Sequence, residues 1–93
     1  MIKHIVMWRL KDKADAPRIK QELESMRGKI RGLVELEVGI NFCPDGSAAD
    51  VALYSTFENR TAFDSYAEHP VHLPVKKLVG GLVADRRVVD YEA

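Results

Sequence analysis

The segment from Tyr66 to His72 places a phenol and two imidazoles within seven residues. An imidazole can accept a proton near neutral pH, and a phenol can hydrogen-bond an oxygen on which negative charge develops. His72 is therefore a candidate general base, and Tyr66 is a candidate stabiliser of an enolate oxygen. The alternative is that these groups only satisfy each other's hydrogen bonds and those of the nearby backbone beneath the helices.

Pro70 lies inside this segment and predicts a break between two helices. Proline has no N–H and disfavours a helical conformation at His69, but it suits the first turn of a following helix. His69 is also a candidate ligand-binding residue, with the alternative that it only holds the turn. Zinc at His69, His72 and Glu68 is not favoured, because the spacing crosses the proline and no cysteine or second carboxylate stands beside it.

The first strand must bring the third histidine to the same place. Alternation over residues 2–10 puts His4, Val6 and Trp8 on one face, and we expect all three to line a ligand pocket. The other face also carries large apolar residues, Ile5 and Met7. Both faces of this strand are therefore predicted to be covered, the second one by a helix layer or by a partner chain.

An amphipathic helix is predicted next, with Pro17 in its first turn and Gly32 as its end. Its apolar stripe is Ile19, Leu23, Met26, Ile30 and Leu33.

The rest of the chain alternates between strand and helix patterns. Two strands joined by the Pro44-Asp45-Gly46 turn predict an antiparallel hairpin, and Asn59 is the predicted cap of the next helix. The predicted elements are a strand from Val34 to about Cys43, a strand at about 50–57, a helix at about 60–68, a helix from Pro70 to Gly80-Gly81 and a strand at about 85–91.

The resulting order, βαββαβ, predicts an α+β ferredoxin-like fold, in which helices cover one face of a four-stranded antiparallel sheet. The opposite face would then lack a cover, although Ile5, Met7 and Tyr54 belong to it. A second copy of the chain, packed sheet against sheet, is the simplest cover. We therefore predict a homodimer.

The composition favours a single domain over residues 1–93 and argues against several kinds of partner. The formal net charge is +0, with no dense basic patch, so neither nucleic acid nor a membrane is an expected partner. Cys43 is the single cysteine, which excludes an internal disulfide and suits the cytoplasm, the expected location. The amino-terminal stretch matches neither a signal peptide nor a membrane span.

The chain resembles the stress-responsive A/B-barrel domain family, also called dimeric α/β-barrel proteins, along essentially its whole length. The resemblance lies in Lys3-His4-Ile5-Val6, in Val88-Val89-Asp90-Tyr91 and, most specifically, in Tyr66-x-x-His69-Pro70-x-His72. It implies a ferredoxin-like chain that dimerises through its sheets into a barrel.

The family includes a polyketide cyclase that closes a linear chain by an aldol-type step. The resemblance implies a catalytic role for His72 and Tyr66, with His4 beside them. The chain departs from that enzyme at Ile19, Leu23 and Val75, where the cyclase has aromatic residues. These three residues are the remaining expected pocket contacts, and they imply a pocket of different shape.

Two functional hypotheses follow from the residues and the resemblance, and a plain dimeric scaffold is the structural alternative if no cavity exists. One is a protein that binds a small, largely apolar molecule between sheet and helices. The other is a cofactor-independent enzyme of aldol or Claisen type, in which His72 is the base and Tyr66 steadies the enolate. Cofactor-free monooxygenases share the barrel plan only as a fold-level analogy.

No cofactor is expected, but the resemblance raises the option of Mg²⁺ or another hard cation. Some relatives look as if they hold one on main-chain carbonyls after the first helix, and the matching residues are Arg27, Ile30 and Leu33. Free carbonyls at a helix end can bind such a cation. Ordinary capping of the helix is the alternative.

Overall fold

A four-stranded antiparallel sheet organises the computed structural model, which describes residues 1–93, with the strands in the order β2-β3-β1-β4. The elements are β1 (Ile2–Leu10), α1 (Ala16–Glu24), β2 (Leu33–Ile40), β3 (Val51–Phe57), α2 (Arg60–Tyr66), α3 (His72–Leu82) and β4 (Val83–Glu92), and a short 3₁₀ turn at Lys13–Asp15 precedes α1. The predicted ferredoxin-like fold is confirmed. None of the helices is long and apolar enough to cross a membrane.

The two faces of β1 have different surroundings, as the alternation predicts. Val6 and Trp8 are buried on the face that the helices cover, where they pack with Ile19 of α1. Met7, on the outer face, is about half exposed, and so is Val89 of β4, which pairs with Ile5. The single layer of helices therefore leaves the outer face of the sheet open.

The first helix is shorter than predicted, because it ends at Glu24 and not at Gly32. Successive turns follow, and Gly28 adopts a positive φ of 74°, which ends helical geometry. Met26 and Ile30 are nevertheless buried in these turns. Their apolar spacing therefore reflects burial along one side of the chain and not a continuous helix.

The helices around Pro70 follow the predicted break. The Asn59 side chain accepts a hydrogen bond from the Ala62 N–H at 2.9 Å, which confirms the predicted cap of α2. The prediction that Gly80 and Gly81 end the following helix is wrong, since α3 continues to Leu82. The backbone N–H of Lys11 caps the Leu82 carbonyl at 3.0 Å, so an element distant in sequence stabilises the helix end.

The first and last strands lie side by side in the sheet. Their antiparallel register places His4 opposite Asp90 and Ile2 opposite Glu92. This pairing places residues from the two ends of the sequence next to each other in the sheet.

Candidate functional site

The junction of α2 and α3 brings Tyr66 and His72 into direct contact. Their rings are stacked, with centroids 4.0 Å apart and planes inclined by 21°. The Nδ1 atom of His72 lies 3.1 Å from the Tyr66 carbonyl oxygen and 3.3 Å from the Ala67 carbonyl oxygen. A carbonyl oxygen only accepts, so Nδ1 must carry a proton. In the neutral ring, Nε2 is then the nitrogen available as a base.

The surroundings favour the uncharged form of both groups. Burial lowers the pKa of His72, the charges of Lys76 and His4 act in the same direction, and the carbonyls of Ala67 and Tyr66 oppose them. Burial also raises the pKa of Tyr66 to about 12, against the opposing effect of the Arg86 charge. Near neutral pH the site therefore presents a neutral imidazole as acceptor and a protonated phenol as donor.

A second imidazole reaches the same place from the sheet. His4 is buried, and its Nδ1 hydrogen-bonds the Asp90 carboxylate in the adjacent strand. Its ring meets the Tyr66 ring edge-on, with centroids 5.9 Å apart, and also contacts Phe63. A carboxylate accepts the hydrogen bond, so Nδ1–H is the donor and, in the neutral ring, Nε2 is the acceptor nitrogen.

These groups border a cavity of about 630 Å³ between the sheet and the helices. Eleven of its 18 lining residues are hydrophobic, which makes most of the wall apolar. Seven residues expected from the sequence lie in this wall: His4, Val6, Trp8, Leu23, Tyr66, His72 and Val75. The structure thus brings most of the expected pocket residues together, and their part in ligand binding stays a prediction.

Two expected pocket residues lie outside this wall. Ile19 is completely buried in the core beneath α1. The Nδ1 atom of His69 accepts a hydrogen bond from the Val71 N–H at 3.0 Å, so this side chain holds the turn before α3. That role matches the alternative considered for His69 from its position before proline.

Four polar residues of the wall were not expected from the sequence. They are Asp64, Lys76, Arg86 and Asp90. Asp90 belongs to a sequence segment that marks the family resemblance, but its pairing with His4 depends on the register between β1 and β4. Alternation along β4 could have placed Arg86, Val88 and Asp90 on one face, though not the wall of a cavity.

The residues matched to a main-chain cation site lie after α1, beside a small hollow lined by Arg27 and Leu33. The Ile30 carbonyl already accepts a hydrogen bond from the Leu33 N–H at 3.3 Å. The Arg27 guanidinium, itself a cation, hydrogen-bonds the Leu36 carbonyl through Nε at 2.8 Å. The main-chain cation site at Arg27, Ile30 and Leu33 stays a prediction. No cluster of three or more His, Cys, Asp or Glu side chains offers a metal site elsewhere.

Comparison with solved structures finds the same fold in several proteins. A dimeric protein of unknown function from Bacteroides fragilis is 34% identical, with 99% of this chain and 95% of that chain covered and a TM-score of 0.87. A dimeric ferredoxin-like protein of unknown function from Thermobifida fusca is 21% identical, with coverage of 99% and 90% and a TM-score of 0.88. A hydroxynitrile lyase from Passiflora edulis is 20% identical, with coverage of 97% and 90% and a TM-score of 0.83.

At the identities of the last two proteins, the likeness shows the fold alone. A search among curated protein sequences found no match. The family model described as the stress responsive A/B barrel domain matches residues 2–93. The chain belongs to the stress-responsive A/B-barrel domain family.

Proposed function

We propose that this protein binds a small, largely apolar molecule in the cavity bordered by Tyr66 and His72. The observation that carries the proposal is a cavity of about 630 Å³ with a mostly hydrophobic wall and a few convergent polar groups. Sites for small organic molecules usually have this size and this composition. His4, Tyr66 and His72 would orient the molecule, while Trp8 and Val75 would contact its apolar part.

We also propose that the binding unit is a homodimer formed by the outer faces of two sheets. Met7, Val89 and Tyr91 leave a large apolar area exposed on this face. Such an area on a soluble protein commonly marks an interface. Two of the similar structures, from Bacteroides fragilis and Thermobifida fusca, are described as dimeric, which supports the same arrangement here.

A second candidate function is proton transfer next to a carbonyl group without a cofactor. It is favoured by the arrangement of Tyr66, whose ring stacks on His72 and forms a T-shaped pair with His4. In this reaction Nε2 of His72 takes a proton from the carbon beside the carbonyl, and the Tyr66 hydroxyl donates a hydrogen bond to the enolate oxygen. The enolate carbon then bonds to a second carbonyl carbon. In an aldol step His72 returns the proton to the alkoxide that forms there, and in a Claisen step this alkoxide expels the leaving group of the attacked ester or thioester, which takes the proton from His72.

Native mass spectrometry of the purified protein tests the binding proposal. We expect a dimer that carries a small molecule in a stoichiometric amount, and denaturing mass analysis of the released molecule would identify its class. A monomer would contradict the proposed dimer. Failure to retain any molecule, together with no binding from a library of small apolar compounds, would contradict the proposed pocket.

Substitution of His72 by Ala separates binding from catalysis. An enzyme of the second type loses turnover in this variant and keeps most of its ligand affinity, whereas a binding protein changes in affinity only. His69→Asn is the matched control, because His69 lies outside the cavity and asparagine can accept the same local N–H hydrogen bond. Equal turnover in both variants would exclude His72 as the base.

A further inference from the structure

We infer that the molecule bound in the cavity carries a carboxylate, which Arg86 and Lys76 recognise. This inference rests on the proposed binding function and specifies its ligand class. Both cations belong to the cavity wall, Lys76 from α3 and Arg86 from β4. They therefore approach the cavity from two different elements.

Neither cation is neutralised within the chain. The ion pairs of the structure join other residues, and none includes Lys76 or Arg86. The side-chain hydrogen bonds likewise leave both groups free. An unpaired guanidinium and an unpaired ammonium at the edge of an apolar cavity provide donors for an anionic group.

The two carboxylates of the wall are already occupied. Asp90 accepts the hydrogen bond from His4, and Asp64 pairs with Arg60, whose Nε lies 3.6 Å from the Asp64 carboxylate. Neither carboxylate is paired with Lys76 or Arg86. The hydrogen bond from His4 leaves the charge of Asp90 in place, but Arg60 offsets the charge of Asp64. Lys76 and Arg86 together therefore outweigh Asp90, and the wall is positive although the whole chain has a formal net charge of +0.

The cations line the same cavity as the stacked rings. The charge of Lys76 acts on His72, and the charge of Arg86 acts on Tyr66. A carboxylate bound by these cations would therefore share the cavity with the stacked pair. The apolar part of the same molecule would extend along Trp8 and Val79. The ligand class is thus an organic acid with an aliphatic or aromatic body.

Three small-molecule probes that share an alkyl chain and differ in head group test this inference on the intact protein near neutral pH. They are octanoate, 1-octanol and octylamine, measured by isothermal titration calorimetry. We expect octanoate to bind about tenfold more tightly than 1-octanol, and octylamine to bind most weakly. The preference for octanoate should decrease as the salt concentration rises.

Variants assign the preference to the two cations. Arg86→Gln and Lys76→Gln should each weaken octanoate binding roughly fivefold and leave 1-octanol binding unchanged. Lys77→Gln removes the same charge from the neighbouring position of α3, outside the cavity wall, and should change neither. Equal losses in the Lys76 and Lys77 variants would assign the effect to general charge and overturn the inference.

The outcomes distinguish this inference from the function on which it rests. Binding of 1-octanol as tight as that of octanoate would overturn the carboxylate assignment and leave the apolar pocket in place. Absence of binding by all three probes would contradict the pocket as well.

Discussion

The ring of His72 lies against the ring of Tyr66, and the Tyr66 main-chain carbonyl accepts a hydrogen bond from the same imidazole. Tyr66 therefore orients the plane of the His72 ring and determines that Nδ1 is its protonated nitrogen. The contact depends on the interruption between α2 and α3, because six positions separate the two residues.

The first prediction concerns the titration of His72. Its pKa is lowered from the ordinary value of 6.5, mainly by burial, so the folded state binds its proton less readily than the unfolded state does. The contribution of this group to stability is fully present above about pH 6.5 and is lost as the pH falls through the folded-state pKa. NMR titration of the imidazole signals should give a His72 midpoint below 6.5.

Lys76→Gln provides a check on the cause of that shift. The positive charge of Lys76 contributes to the lowered pKa of His72, so its removal should move the midpoint upward. Lys77→Gln should leave the midpoint in place. A wild-type His72 that titrates above the ordinary value would contradict the assigned burial and charge effects.

The second prediction concerns the Tyr66 hydroxyl. Tyr66→Phe keeps the ring contacts with Phe57 and His72 and removes only the oxygen. We expect the free energy of unfolding to change by less than about 1 kcal/mol, while ligand affinity or turnover decreases. Chemical denaturation and a ligand-binding titration measure the two effects.

Ultraviolet absorbance tests the protonation state of the same phenol. Because burial raises the pKa of Tyr66 to about 12, the wild type and Tyr66→Phe should release the same number of phenolic protons up to about pH 11. A difference of one proton that develops near pH 10 would show an ordinary, accessible tyrosine at this position.

The third prediction concerns two glycines with positive φ. A Cβ at Gly32 would lie 2.4 Å from the Cβ of Ala62, and the φ there is +85°. Gly32→Ala should therefore lower the free energy of unfolding by about 2–4 kcal/mol, since backbone strain and a collision act together. Gly28→Ala is the matched control, because its φ is +74° but nothing lies within 4 Å.

Gly28→Ala should lower the free energy of unfolding by only about 1 kcal/mol, which is the effect of the backbone conformation alone. Denaturation of both variants must be measured at one protein concentration, because dimerisation would make stability concentration-dependent. Equal losses in the two variants would mean that α2 moves away from the new methyl group at little cost.

The fourth prediction concerns the proposed dimer. Met7→Glu places a charge in the centre of the open face of the sheet and should yield a monomer. Leu73→Glu is the matched control, since Leu73 is exposed to a similar extent on α3 and should leave the dimer intact. Sedimentation velocity at micromolar concentration distinguishes the two species. A Met7→Glu protein that stays dimeric would show that the dimer forms through a different surface.

Local patterns predicted most of the fold because each element carries its own signal. The alternation of β1 identified the buried face, and Asn59 marked the start of α2. The end of α1 was wrong because burial of Met26 and Ile30 in successive turns has the same spacing as a helix. The end of α3 was wrong because its cap comes from Lys11, which is distant in sequence.

Local patterns predicted the candidate site only where its residues are neighbours in sequence or on one strand face, and Leu23 and Val75 were expected only through the family resemblance. Tyr66 and His72 share a segment, and His4 shares a face with Trp8. The partner of His4 depends on the pairing of the first strand with the last, and no local pattern encodes that register. Arg86 was missed for the same reason.

The pairing of His4 with Asp90 has a consequence for the order of events during synthesis. The two residues lie 86 positions apart, so the first strand leaves the ribosome long before its neighbour exists. Until β4 is made, β1 has an unpaired edge, and His4 has no carboxylate beside it. Contacts of such long range also slow folding. A nascent or truncated chain without β4 therefore lacks the part of the pocket wall that Arg86, Val88 and Asp90 supply.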